Sequence, residues 1–283
     1  MRFATIYINE KETAAIAIDE GLILINTLNE ISGKNWSSNL LELIETGQIY
    51  ELVQWFQQLP HEEIIRCNVL DETIVSFAPL YRRPRKIWGI GMNYLQHEPD
   101  RNETYSDPVS FMKPDTSIIG MNDTIRIPHG STNTTAEAEL GIVIGRKCSN
   151  ISKEDAVHYI LGYTTTLDMT EADIHNENQR YLTRAKSFDT FFSFGPYLMI
   201  DEVENVKDLV VTTVLNGEKA HQNVVSHMRY DLHEMIAFHS QVMTLLPGDI
   251  IITGTPGSVV IRNGDTVECH ISGFVPLVNE VKG

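Results

Sequence analysis

The segment that most constrains the fold is Glu137-Ala138-Glu139-Leu140-Gly141-Ile142-Val143-Ile144-Gly145. Side chains alternate along a strand, so Glu137 and Glu139 share one face while Ala138, Leu140, Ile142 and Ile144 share the other. The second face has to be core. The first continues through Gly141 and Val143 and turns apolar within one step, which sets the acids against the protein rather than in open solvent. Their Cα atoms would lie ~6.6 Å apart, close enough for both carboxylates to converge on one cation. Two buried like charges are costly unless a cation or a proton compensates them. The alternative is an exposed strand end carrying two acids, and the segment alone does not choose.

Around this strand the chain reads as mainly β. Further strands are expected at 86–91, 160–168, 195–200, 208–215, 248–253 and 265–271, with a hairpin turn at Asn216-Gly217. A short helix is expected to open at Ser152, and a second to span 231–245 before Pro247-Gly248. Strands and helices do not alternate regularly, which argues against a doubly wound parallel sheet. Residues 2–25 give three short strands, and residues 38–58 show helical spacing around a break at Gly47, closed by Pro60. The expected organisation is α+β and mainly β. A small N-terminal α+β domain (1–80) is joined by the basic stretch Tyr81–Lys86 to a larger domain (81–283).

Charge and cysteine usage remove several function classes. The chain of 283 residues has a formal charge of −16, and residues 1–80 carry 12 acids against 4 bases. That balance argues against a nucleic-acid binder and against adhesion to anionic membranes. Cys67, Cys148 and Cys269 are far apart and suggest neither a disulfide framework nor a zinc site, which fits a cytoplasmic protein. No signal-peptide core or membrane-length apolar stretch is read at the sequence level. Gly89-Ile90-Gly91 lacks the third glycine of a dinucleotide fingerprint. His233 and His239 lie six residues apart, roughly 240° round a helix, and cannot share one ion. Both are expected at the surface or the edge of the core.

Two more segments carry polar groups of interest. The strand 160–168 ends at Asp168, which could cap a following helix or supply a third carboxylate. Three carboxylates with no cysteine pair nearby would suit a hard ion, Mg²⁺ or Mn²⁺. Thr253-Gly254-Thr255-Pro256-Gly257 follows an apolar strand and could hold a carboxylate or merely reverse the chain.

Taken in order, the motifs resemble the fumarylacetoacetate hydrolase family over residues 86–280. The resemblance is carried by Gly91-Met92-Asn93-Tyr94 with His97, Phe111-Met112-Lys113-Pro114, Glu137-x-Glu139-Leu140, and Gly162-Tyr163-Thr164 to Asp168. It continues through Ala185-Lys186-Ser187-Phe188-Asp189, Gly195-Pro196, Val214-Leu215-Asn216-Gly217, and Leu246-Pro247-Gly248-Asp249 to Thr253-Gly254-Thr255-Pro256. It implies a mixed β-roll catalytic domain, usually in a homodimer, acting on a small-molecule keto acid. It also implies one Mg²⁺ or Mn²⁺ held by Glu137, Glu139 and Asp168. Lys186 matches the family lysine, His97 the general base, and Asp100 the position of the carboxylate that orients it. Thr255 and Gly254 fall where a substrate carboxylate is held.

Two positions depart from the family pattern. Arg and Gln are usual four and seven residues after the metal aspartate, and here Ala172 and His175 stand there. Alanine cannot make the bidentate contact of an arginine with a carboxylate, so the substrate is expected to differ from the acylpyruvates of typical members. His175 either contacts the ligand or sits on the surface. Hydrolytic C–C cleavage of a 2-keto or β-dicarbonyl acid through a metal-stabilised enolate is the leading expectation. Decarboxylation or isomerisation of oxaloacetate or hydroxymuconate-type acids comes second. The rival from another class is a non-catalytic protein that binds a metabolite or a partner.

Overall fold

The computed structural model describes residues 1–64, 66–99 and 105–283. Its spine is the antiparallel pair Thr134–Ile144 and Ile160–Glu171. Both are longer than the sequence pattern suggests, and the second runs three residues past Asp168. Ala136, Ala138, Leu140, Ile142 and Ile144 bury their side chains in one core, while Val143 on the opposite face enters another. The alternation read from the sequence is therefore real, but both faces are covered. Burial of Leu140, Ile142, Val143 and Ile144 contributes roughly 1.5–3 kcal/mol each, and the two alanines less.

The spine extends on both sides into a 13-stranded sheet. On one side Ile250–Ile252 pairs with Thr134–Ile144 and runs parallel to Ile87–Gly91, which pairs in turn with Val109–Lys113. On the other, Tyr197–Met199 links the spine to Arg2–Ile8, Lys11–Ile18 and Gly21–Leu24. The strands of the N-terminal unit thus continue the main sheet. Gly162 permits the junction. It sits at a register shift of the spine, and a Cβ there would lie 2.2 Å from the Met199 carbonyl oxygen. A second, 5-stranded sheet contains Val210–Leu215, Glu218–Val224, Thr266–Ile271, Leu277–Lys282 and Thr124–Arg126. Its hairpin turns at Asn216 and Gly217, both at positive φ, as the sequence predicts. These sheets give the α+β, mainly β architecture.

The helical expectations are modified in detail. Residues 38–58 form Leu40–Glu45 and Gln48–Gln57, separated by Gly47 at φ +75°. Residues 153–155 form a turn, and a 3-10 turn follows at Ala156–Tyr159 in place of the expected helix. The later helix is Leu232–Val242, started by a reciprocal capping box between Asp231 and Glu234. Extended backbone at Met243 stops it, and Leu245 then bridges to Cys148. The basic connector is anchored: Arg82 donates to Glu12 at 2.8 Å, and Lys86 meets Asp249 at 2.6 Å. The three cysteines are free and buried. No described helix is long and apolar enough to cross a membrane.

His239 corrects an expectation. It is buried rather than peripheral, because Leu232–Val242 turns it onto Trp88, with ring centroids 5.4 Å apart. Its Nδ1 donates to the Met235 carbonyl at 2.7 Å, and its Nε2 has no partner. Burial holds its pKa below the ordinary value against that hydrogen bond. Its contribution to stability is therefore complete above about pH 6.5 and is lost as the pH falls toward the lower folded pKa. The urea midpoint of the wild type should drop as the pH falls below about 6.5 more steeply than that of His239→Leu. Equal slopes would contradict this assignment.

Candidate metal centre

The spine brings the three acids together. Asp168 lies directly across from Glu137 in the ladder, and Glu139 follows two residues on along the same face. One carboxylate oxygen from each lies within 4.8 Å of the others. Glu139 and Asp168 are fully buried, and Glu137 is half-buried. Asp168 caps no helix, since the strand continues to Glu171. That residue points to the opposite face, where Ser131 and Thr134 donate to its carboxylate.

Like charges at a directly paired position are destabilising, so the surroundings have to answer them. Two buried lysines do so in part. Lys186, the last residue of the helix Leu182–Lys186, donates to Glu137 at 2.9 Å and also to Asp168. Lys113 donates to the other oxygen of Asp168 at 2.5 Å and to the Met169 carbonyl at 3.0 Å. The Phe111 ring lies beneath Lys186, its centroid 4.5 Å from Nζ. Among the described residues, the hydrogen-bond donor to the Glu139 carboxylate is the neutral Gly254 N–H at 2.7 Å.

The protonation pattern follows from these contacts. Burial would raise the pKa of Asp168, but Lys113 and Lys186 outweigh it and hold the carboxyl below its usual range. Burial, with Asp168 and Glu137 adding to it, pushes Glu139 well above the carboxylate range. Burial would lower Lys186, but Asp168 and Glu137 keep it raised and protonated. Burial dominates at Lys113 and brings it down to about 8. Glu139, left without a cationic hydrogen-bond partner, therefore keeps a proton that a bound cation would have to displace. The cluster's donors are all carboxylate oxygens, which suit a hard divalent cation. The Cys269 thiol approaches the Glu139 backbone, but burial pushes it up to about 12, so it offers no thiolate.

Glu137, Glu139 and Lys186 open into a cavity of about 300 Å³. Thr255, His175 and Ala172 line the same cavity. The Thr255 hydroxyl donates to the Gly257 carbonyl at 3.1 Å within its own turn. Gly254 contributes through its N–H to Glu139. His97 is exposed and does not line this cavity. Asp100 lies outside the described residues. Sequence reading left Lys113 undecided and gave no role to Phe111. Both lie on the inner face of Val109–Lys113, a burial pattern that the sequence Val-Ser-Phe-Met-Lys does not announce.

The 13-stranded sheet carries a carboxylate cluster on adjacent strands that could hold a metal ion. Residues 86–282 match the C-terminal domain of fumarylacetoacetate hydrolases, and the chain belongs to the fumarylacetoacetate hydrolase family. It is 34% identical to a mitochondrial oxaloacetate tautomerase of Xenopus laevis, over 76% of this chain and 70% of that protein. It superposes on 5-carboxymethyl-2-hydroxymuconate delta-isomerase from Mycobacterium smegmatis with a TM-score of 0.80 and 29% identity, covering 100% and 98% of the two chains. A maleylpyruvate hydrolase from Sphingobium, solved with manganese(II) and pyruvate, gives a TM-score of 0.81 at 25% identity, covering 100% and 99%.

Millimolar Mn²⁺ should raise the melting temperature of the wild type by roughly a few degrees, because a ligand that binds only the folded state stabilises it. Glu139→Gln keeps the shape and removes the charge, so its melting temperature should not respond. An equal rise in the variant would rule Glu139 out as a ligand.

Proposed function

We propose that the protein is a divalent-metal-dependent enzyme acting on a small 2-keto or β-dicarbonyl acid by forming an enolate next to a carbonyl. The observation that carries this reading is the buried triad Glu137, Glu139 and Asp168, opening with Lys186 into a cavity of substrate size. In this reading the triad holds Mg²⁺ or Mn²⁺, which when bound acts as a Lewis acid toward a substrate carbonyl.

The chain's own residues supply the rest. Lys186 stays protonated, so it acts as a fixed positive charge near the developing enolate and not as a base. Its contacts with Glu137 and Asp168 fix where that charge stands. Thr255 and His175 offer polar contacts to the substrate's oxygens. Ala172 leaves its part of the wall uncharged, and no arginine is among the described lining residues. Residues 1–80 act as a small accessory domain, and the protein works as a cytoplasmic homodimer.

Within this chemistry, enol–keto isomerisation is the favoured reaction. His97 stands outside the described cavity lining, whereas the His175 imidazole lines it and is the group placed to take a proton from the substrate and return it, which supports proton transfer on the substrate over activation of a water. The similarity to a tautomerase and an isomerase supports the same choice. Hydrolytic C–C cleavage is the second reading. It needs a base for water, and His97, oriented by Asp100, is the candidate. The similarity to maleylpyruvate hydrolase supports it.

Ultraviolet monitoring of enol loss for oxaloacetate, hydroxymuconate-type acids and acylpyruvates, with Mg²⁺ and Mn²⁺, tests the proposal. Metal-dependent acceleration of enol–keto exchange is expected. His97→Ala should leave that exchange within a few-fold and cut any C–C cleavage by about 100-fold or more. No turnover anywhere in the panel, with tight metabolite binding instead, would replace the enzyme reading by a binding role.

A further inference from the structure

Asn93 is a fully buried polar side chain with all its groups engaged between three segments that are distant in sequence. Its Nδ2 donates to the Thr253 carbonyl at 2.9 Å and to the Tyr230 carbonyl at 3.2 Å. Its Oδ1 accepts from the Tyr230 N–H at 2.9 Å. Its own carbonyl accepts from the Arg229 N–H at 2.6 Å. The next residue up the chain from Thr253 is Gly254, whose N–H reaches Glu139. Gly254 stands at φ +95°, and a Cβ there would lie 2.8 Å from Asn93 Cβ, so the turn is seated directly on the asparagine. On the other side, Asn93 begins the stretch leading to His97. That stretch is pinned again at Leu95, whose N–H donates to the His227 carbonyl and whose carbonyl accepts from Asn223.

We propose that Asn93 is a positioning residue that locks the Thr253-Gly254 turn and the base of the His97 segment in one register. It thereby aims the Gly254 N–H at Glu139. Thr253 ties the turn to the spine through its hydroxyl and N–H on the Leu140 carbonyl, and Asn93 holds the turn from the opposite segment. The inference rests on Glu139 being a metal ligand. A carboxamide is needed because two carbonyls and one N–H face it. Aspartate has the same shape but no donor, and it leaves the Thr253 and Tyr230 carbonyls unpaired.

The test is calorimetric titration of Mn²⁺ alone into the full chain, well below the melting temperature, for wild type, Asn93→Asp and Asn93→Ser. Partners that orient a metal ligand typically contribute 10–100-fold in affinity. Asn93→Asp should weaken Mn²⁺ binding by about tenfold, at the lower end because it acts through the turn. Asn93→Ser keeps one donor and should lose less; it also carries the test if the aspartate variant does not fold. Lowered melting temperatures with wild-type Mn²⁺ affinity in the folded variants would mean a merely structural role and overturn the inference. No Mn²⁺ binding by the wild type would overturn the metal reading and this inference together.

Discussion

The structure depends on a cross-strand contact that should be unfavourable. Glu137 and Asp168 face each other in the ladder between Thr134–Ile144 and Ile160–Glu171, with Glu139 on the same face. Opposed carboxylates repel, and burial strengthens the repulsion because water no longer screens it. The fold answers from outside the pair. Lys113 comes from a strand at the far side of the sheet, and Lys186 from a short helix packed against the spine. Both lysines converge on Asp168. Neither lysine contacts Glu139 by a hydrogen bond. The carboxylate cluster is thus a charge problem set by strand register, in which the protein's own cations leave Glu139 to keep a proton.

This arrangement divides the work among residues of one charge. Asp168 is fixed by two lysines and acts as the rigid corner of the cluster. Glu137 is half-buried and borders the cavity. Glu139 is tied to the backbone of the Thr253-Gly254 turn, which connects the cluster to Asn93 and the segment that bears His97. The acidic N-terminal quarter takes no part in the cluster. Its strands lengthen the sheet, and Glu12 anchors the basic connector through Arg82.

Local patterns carried much of this into the sequence. Alternation along 137–145 gave the two faces, and the stretch 231–245 ahead of Pro247-Gly248 placed the later helix to within a few residues. What stayed hidden depends on contacts far apart in the chain. Nothing near Arg2–Ile8 indicates that it pairs with Tyr197–Met199 and so joins the main sheet. Asp168 looks like a strand end because Met169-Thr170-Glu171 can begin a helix. The ladder with Thr134–Ala136 keeps those residues extended instead. Lys113 and Asn93 are legible only through resemblance, since a buried lysine and a buried asparagine have no periodicity of their own. His239 was misplaced because helical spacing alone does not say which face meets Trp88.

Two lysines balance Glu137 and Asp168 while Glu139 holds a proton, so a divalent cation that displaced that proton would give the site the positive charge an anionic ligand needs. Oxalate, a small planar dianion resembling the enolate of a 2-keto acid, probes this without turnover. Calorimetric titration of oxalate should show binding in the presence of Mn²⁺ and none to the metal-free protein, with Mn²⁺ affinity raised reciprocally by oxalate. Oxalate binding of equal strength with and without Mn²⁺ would contradict the account.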